Sequence, residues 1–118
     1  MVNKILSLLG LARRAGKTVL GFDSTCAAME KGRIRLVIMA GDTAVNTRKK
    51  MEKNCRRHNV PFYYLANREE LGRAIGKKAQ VVLGLPTHGL TGLIMKELTA
   101  YARAGGVAQR VPCEDDKK

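Results

Sequence analysis

The chain has 118 residues, 45% of them hydrophobic, which suits one domain with a single modest core and leaves no room for two. No apolar run approaches the ~18 residues of a membrane span, and Met1-Val2-Asn3-Lys4-Ile5 opens an amphipathic pattern without the apolar core or cleavage site of a secretory signal. Lys plus Arg number 22 against 10 acids, a net charge of +12, so a polyanion is the expected partner; nucleic acid is favoured over a membrane surface because the basic helices lack a Trp/Phe-rich apolar face.

Residues 3–15 place Ile5, Leu8, Leu9 and Ala12 at helical spacing, with Asn3 as a candidate cap and Gly16 as the stop. Thr18-Val19-Leu20 reads as a short strand closed by Gly21. Asp23 or Ser24 is expected to cap a second helix running to about Lys31, with Cys26 and Met29 inward and Gly32 ending it. The continuous apolar run Leu36-Val37-Ile38-Met39-Ala40 is what a strand buried on both faces looks like. A third helix follows the Gly41-Asp42-Thr43 loop, capped by Asn46 or Thr47 and extending to about His58. Met51 and Cys55 would face inward, and Arg48, Lys49, Lys50, Lys53, Arg56 and Arg57 outward.

Beyond Pro61, Phe62-Tyr63-Tyr64-Leu65 is a strand. Asn67 caps a short helix with Glu69-Glu70 in its first turn and Gly76 at its end. Val81 to Leu85 is the next strand, and a final helix is expected from about Thr91 to Ala104. Gly105-Gly106 would close the domain at residue 106 and release a flexible tail over 107–118. Alternating helices and strands predict an α/β sheet covered on both faces, and neither a repeat nor a linker interrupts it.

The charge is uneven. Residues 1–58 hold 13 basic and four acidic residues, the remainder nine and six, so the basic excess is expected to form a face. Three cysteines, Cys26, Cys55 and Cys113, have no C-x-x-C spacing and read as reduced cytosolic thiols. His58 and His88 have no ligand spacing, so neither a metal nor a cofactor is expected. No Gly-x-Ser-x-Gly elbow or readable Cys/Ser–His arrangement argues for catalysis.

One stretch, Arg13 to Ser24, concentrates the candidate chemistry. Its Gly16-Lys17-Thr18 invites a phosphate-loop reading, but G-x-x-x-x-G-K-[ST] needs a glycine where Leu11 stands, and a strand where this chain has a helix. What remains is a helix end with Arg14, Gly16 and Lys17, the strand residue Thr18, and a helix start at Gly21-Phe22-Asp23-Ser24. Free N–H groups at such a start suit a phosphate or a base edge. Asp23 is either a plain N-cap or an acceptor for base amino and imino groups, and one residue can do both. The basic third helix is open to two readings, phosphate contact through residues such as Arg48 and Lys49, or a solvated face. With few aromatics, base stacking on the sheet is not expected.

The run Leu8-Leu9-Gly10-Leu11-Ala12-Arg13-Arg14-Ala15-Gly16-Lys17 through Gly21-Phe22-Asp23 resembles the opening of the ribosomal L7Ae/L30e proteins, in particular their small bacterial YlxQ-type members. The likeness continues through Leu36 to Asp42, Asn46 to Lys50, Asn59 to Phe62, and the specific block Glu70-Leu71-Gly72-Arg73-Ala74-Ile75-Gly76-Lys77, with Val81-Val82-Leu83 at the expected distance. It covers residues 3 to about 100. The resemblance implies a three-layer α/β/α sandwich on a four-stranded mixed sheet (L30e-like), and binding of structured RNA, typically kink-turns with tandem sheared G·A pairs. It carries the reading positions onto Gly21, Asp23, Ser24 and Ala27, where a Gly-x-Asn-Glu pattern and a Lys one turn on are usual. Here Asp23 replaces the amide, Ser24 the acid, and Ala27 the amine. It further implies a contribution from the loop after the fourth strand, Leu85-Pro86-Thr87-His88, which also departs from the family pattern.

The expectation is therefore a non-enzymatic, monomeric, cytoplasmic RNA-binding protein associated with the ribosome or another structured RNA. Two alternatives stand beside it: an assembly or protein-interaction factor with a solvated basic face, and a stand-alone relative of the RNA-binding domain of some 2'-O-methyltransferases.

Overall fold

The computed structural model describes residues 2–103. Five helices and four strands alternate: α1 (Val2–Arg14), β1 (Val19–Leu20), α2 (Phe22–Glu30), β2 (Leu36–Met39), α3 (Val45–Arg57), β3 (Phe62–Tyr64), α4 (Arg68–Ala74), β4 (Val82–Leu85) and α5 (Gly89–Arg103). The sheet order is β1-β4-β2-β3. β2 and β3 run parallel, while β4 is antiparallel to both its neighbours, β1 and β2. The sheet is mixed, as expected.

Side-chain alternation along the strands splits the core into two layers. Leu36, Ile38, Tyr63, Leu65, Leu83 and Leu85 point to one face, where Ile5 and Leu9 of α1, Leu71 of α4, and Ile94 and Leu98 of α5 cover them. Val37, Met39, Phe62, Tyr64 and Val82 point to the other, against Met29 of α2 and Met51 and Cys55 of α3. The three layers follow directly, and they explain why Leu36–Ala40 is apolar without interruption: both parities are buried. β4 contributes a glycine to the second layer. A Cβ on Gly84 would lie 2.9 Å from Ile34 Cδ1 and 3.0 Å from Thr25 Cγ2, so the bare backbone lets α2 settle directly on the strand.

Helix ends are mostly where the sequence puts them. Gly16, Gly32 and Gly76 adopt positive φ just beyond α1, α2 and α4. Asn67 accepts the Glu70 N–H at 2.8 Å as the cap of α4. Asn59 (φ 58) takes the same left-handed position after α3, accompanied by bonds from Val60 N to Cys55 O (2.8 Å) and Asn59 N to Arg56 O (3.3 Å).

Helix starts differ from expectation. α1 already includes Asn3, which is therefore not its cap. α2 begins at Phe22 behind Gly21, and α3 at Val45 behind Ala44, neither with a side-chain cap bond. Asp23 and Ser24, and Asn46 and Thr47, thus lie inside the first turns. α5 starts at Gly89, two residues before Thr91, because His88 Nδ1 accepts the Leu90 N–H (3.1 Å) and the Thr91 hydroxyl reaches back to Pro86 O (2.6 Å). The tail expected over 107–118, and Ala104 at the end of the last helix, lie outside the described residues.

Candidate nucleic-acid interface

The β1–β4 ladder divides the candidate residues into two groups. At one end, α1 terminates in paired backbone bonds, Lys17 N to Ala12 O (2.8 Å) and Gly16 N to Arg13 O (3.1 Å), which turn the chain through Gly16 (φ 71) and leave Arg14, Gly16 and Lys17 exposed. This turn, preceded by a helix and followed by a strand, is not a phosphate loop. Continuing the Val19↔Gly84 register by two residues brings Thr18 level with Leu85 and Lys17 level with Pro86. Arg14, Gly16, Lys17, Thr18, Leu85, Pro86, Thr87 and His88 therefore share this end. Leu85 is buried, Thr18 and Pro86 are half-buried, and Thr87 and His88 are exposed.

At the other end, four strands line up in one row. Gly21 N–H donates to Val82 O (3.0 Å), Val82 pairs with Met39, and Met39 pairs with Tyr64. Every connection at that row emerges at the same end of the sheet: the start of α2, the 41–44 loop and start of α3, the start of α4, and the 76–81 loop. Gly21 makes the sharpest of these exits. Its φ of 99 and ψ of 161 lie where only glycine is comfortable, and open space where a Cβ would stand shows that the demand is on the backbone, not on room.

The first intrahelical bond of α2 is Thr25 N to Gly21 O (3.1 Å), so the N–H groups of Phe22, Asp23 and Ser24 lead the helix without an intrahelical acceptor. Asp23 and Ser24 are exposed, and Ala27, four residues after Asp23 on the same helical face, is exposed too. Phe22 is half-buried and packs against the α2/α3 core layer, so its ring anchors the helix start. Because no side chain caps α2, Asp23 is free of the capping role that sequence suggested. Its carboxylate instead stands in the first turn, where the positive end of the helix dipole favours it.

The α4 start is tied to the 41–44 loop. Asp42 Oδ1 accepts the Arg68 N–H (3.0 Å), Asp42 Oδ2 accepts from Arg68 Nε (3.2 Å), and Arg68 Nη2 donates to Asp42 O (2.8 Å). Gln80 N–H returns to Arg68 O (2.9 Å), and Gln80 Nε2 donates to Val82 O (2.5 Å), fixing the strand entry beside the Gly21 turn. Lys77 and Lys78 in that entry loop are exposed. They and Arg68 were not among the residues singled out from sequence. The Lys-Lys pair wedged between a helix-stop glycine and a buried strand was the signal that could have found them.

Of the third-helix residues, Lys49 is exposed, but Arg48 is only half-exposed and its guanidinium lies 5.6 Å from the Tyr64 ring centroid. The Tyr64 hydroxyl donates to Glu52, and burial, followed by that carboxylate, holds the phenol well above its ordinary pKa. On the other side of α3, Asn54 Nδ2 donates to Cys26 Sγ (3.1 Å). Burial raises the Cys26 thiol pKa although this bond opposes it, so Cys26 stays a thiol at neutral pH. Among the described residues no group of three or more His, Cys, Asp or Glu side chains could hold a metal, and no helix is long and apolar enough to cross a membrane.

The family model of the ribosomal protein L7Ae/L30e/S12e/Gadd45 family matches residues 3–89. The chain belongs to that family. Within it, the chain is 37% identical over 91 residues to the RNA-binding protein YlxQ of Bacillus subtilis, covering 77% of this chain and 91% of the relative. It is 32% identical over 74 residues to the large ribosomal subunit protein eL30 of Saccharomyces cerevisiae, covering 62% and 70%. Among solved structures, a Bacillus halodurans protein of unknown function superposes with a TM-score of 0.76 at 38% identity, covering 79% of this chain and 94% of that one. The 15.5kD RNA binding protein of Giardia lamblia shares the fold, with a TM-score of 0.73 at 20% identity over 86% and 87% of the two chains. Membership of this L7Ae/L30e family agrees with the α/β/α architecture and with the expectation of a binding protein instead of an enzyme.

Proposed function

We propose that this L7Ae/L30e-family chain binds structured RNA through the face built around the start of α2, as a monomeric cytoplasmic protein associated with the ribosome or another structured RNA. The observation that carries the reading is the β1–α2 junction. A helix start whose leading N–H groups have no side-chain cap is held exposed by Gly21 on a chain of net charge +12. Its relatives include proteins named as RNA-binding and as ribosomal. The leading N–H groups suit a phosphate or a base edge. Asp23, as an anion, repels phosphate but accepts from base amino and imino groups. Lys17 and Arg14 before β1, and Lys49 on α3, supply phosphate contacts that position the RNA without reading its sequence, while Arg48 stays over the Tyr64 ring.

Within that reading, a kink-turn with tandem sheared G·A pairs is the proposed target, with Gly21, Asp23, Ser24 and Ala27 at the pairs. Titration against a kink-turn RNA and a plain duplex of equal length tests it. The kink-turn is expected to bind at least ~10-fold tighter, about 1.4 kcal/mol. Equal affinities would remove the kink-turn assignment and keep general RNA binding. No binding to either at physiological salt would favour an assembly or protein-interaction factor with a solvated basic face.

A further inference from the structure

α3 carries six basic residues in thirteen and one acid, Glu52. Tertiary contacts sort them. Met51 and Cys55 are fully buried. Arg48 and Arg56 lie over the Tyr64 and Phe62 rings, at 5.6 and 6.0 Å from the centroids. Glu52 accepts from the Tyr64 hydroxyl. Lys49, Lys50, Lys53 and Arg57 are left exposed, and none of these four appears in an ion pair among the described residues.

Helical geometry turns those four into a stripe. Lys49, Lys53 and Arg57 follow one another four residues apart, advancing ~6 Å along the axis and ~40° around it at each step, with Lys50 alongside. Fold stability alone disfavours such a stripe. Like charges four residues apart repel, and only Arg57, in the last turn of α3, gains from the helix dipole. Phosphates of an anionic strand laid along the helix would pair with these cations and offset their mutual repulsion. One exposed apolar residue, Val45, heads the stripe four residues before Lys49; the centre of the stripe is lysine and arginine, whereas a protein partner needs a desolvated apolar or aromatic anchor near the centre of its interface. Its position completes the argument: α3 begins from the same sheet end as α2 and packs next to it, Asn54 bonding Cys26, so the stripe leads away from the sheet end that carries the Gly21 turn.

We infer that the outer face of α3 is a second RNA-contacting surface, along which an arm of an RNA held at the α2 start lays its phosphate backbone on Lys49, Lys53 and Arg57, with Lys50 beside them. This rests on the RNA-binding reading above and adds a requirement to it: the RNA must continue past the α2 site. Lys50, Lys53 and Arg57 are the residues that this surface adds.

The test compares wild type with the K50Q/K53Q/R57Q variant, Gln being a good helix former at exposed positions. Each is titrated over a salt series with a short-arm kink-turn RNA and with one whose flanking arm is extended by a helical turn. Extending the arm should tighten wild-type binding by ~10-fold or more and leave the variant unchanged. The salt slope on the long-arm RNA should fall by about 2–3 units in the variant, at ~0.9 per phosphate contact on a duplex. Equal affinity and slope for the two proteins on the long-arm RNA would overturn the inference. Wild-type binding that ignores arm length would overturn it while leaving the RNA-binding reading intact; no wild-type binding to either RNA would overturn both. Polyglutamate that displaces the long-arm RNA from wild type at equal charge concentration would make the stripe a general anion face and remove the RNA assignment. Should the triple variant lose its helical circular-dichroism signal, K53Q alone is used, with an expected slope change of about one unit.

Discussion

The two ends of the β1–β4 ladder carry the same kind of charge but differ in what they can read. At the Lys17 end, the chain turns through a capped helix terminus, and His88 and Thr91 close the facing loop with their own bonds. The polar backbone there is largely satisfied internally, so what it offers a ligand is the cationic tips of Arg14 and Lys17. At the Gly21 end, three leading N–H groups and a carboxylate face outward with no side-chain cap between them. Cations fix position without regard to base, whereas directional donors and acceptors discriminate. Two short segments separated only by β1, ~13 Å of extended chain, thus suit different halves of recognition.

Gly21→Ala should break that comparison most strongly. It forces a residue with a Cβ into a conformation costing ~1–3 kcal/mol, so thermal or denaturant unfolding should show a loss in that range, and any preference for kink-turn over duplex should fall with it. Gly16→Asn at the opposite end should cost clearly less, because asparagine tolerates the left-handed region. Similar losses from the two variants would mean that the Gly21 turn relaxes and is not held.

Asp23→Ala and Lys17→Ala separate the two roles. Asp23→Ala should cost only the ~0.3–1 kcal/mol of its interaction with the helix dipole, since the carboxylate makes no cap bond, and reduce the kink-turn preference by about 1 kcal/mol. Lys17→Ala should weaken both RNAs alike and lower the salt slope by about one unit. A preference unchanged by Asp23→Ala would remove that carboxylate from base reading.

The smallest effect is expected from His88→Ala. It removes the acceptor for the Leu90 N–H and should cost ~0.5–1 kcal/mol of stability, read as a modest shift in the unfolding midpoint. If it also changed the kink-turn preference, the two ends would be coupled and the division of labour would fail.

Much of this was legible in the sequence. Gly16, Gly32 and Gly76 marked helix stops because left-handed φ is a local demand that glycine meets without cost. Asn67 with Glu70 marked a helix start because the cap is a bond within four residues. Leu36–Ala40 marked a central strand because both of its parities are apolar. The sequence places the caps of α2 and α3 two or three residues late, for a physical reason. Asp23, Ser24, Asn46 and Thr47 have the chemistry of caps, but strand exits fixed by Gly21 N to Val82 O and by the Thr43 hydroxyl to Ala40 O (2.5 Å) start the helices earlier. The candidate site was read as one cluster around Gly16–Ser24. Pairing with β4 stretches it along a ladder and brings Lys77 and Lys78 toward the Gly21 end.

By itself, then, the sequence determined the element order, the two-sided burial of the sheet, the basic excess and the family likeness, because these depend on composition and on spacing within a few residues. Which charges remain available was decided only by tertiary structure. Arg48 and Arg56 look like Lys49 and Lys53 in the sequence, yet ring faces of β3 hold the first two while the other two stay exposed. Asp23 looks like a cap and Asp42 like a loop acid. The fold leaves the first without a cap bond and ties the second to Arg68. Those outcomes depend on partners 6 to 26 residues away, from Arg56 with Phe62 to Asp42 with Arg68, and contacts of that kind exist only once helix and strand have packed.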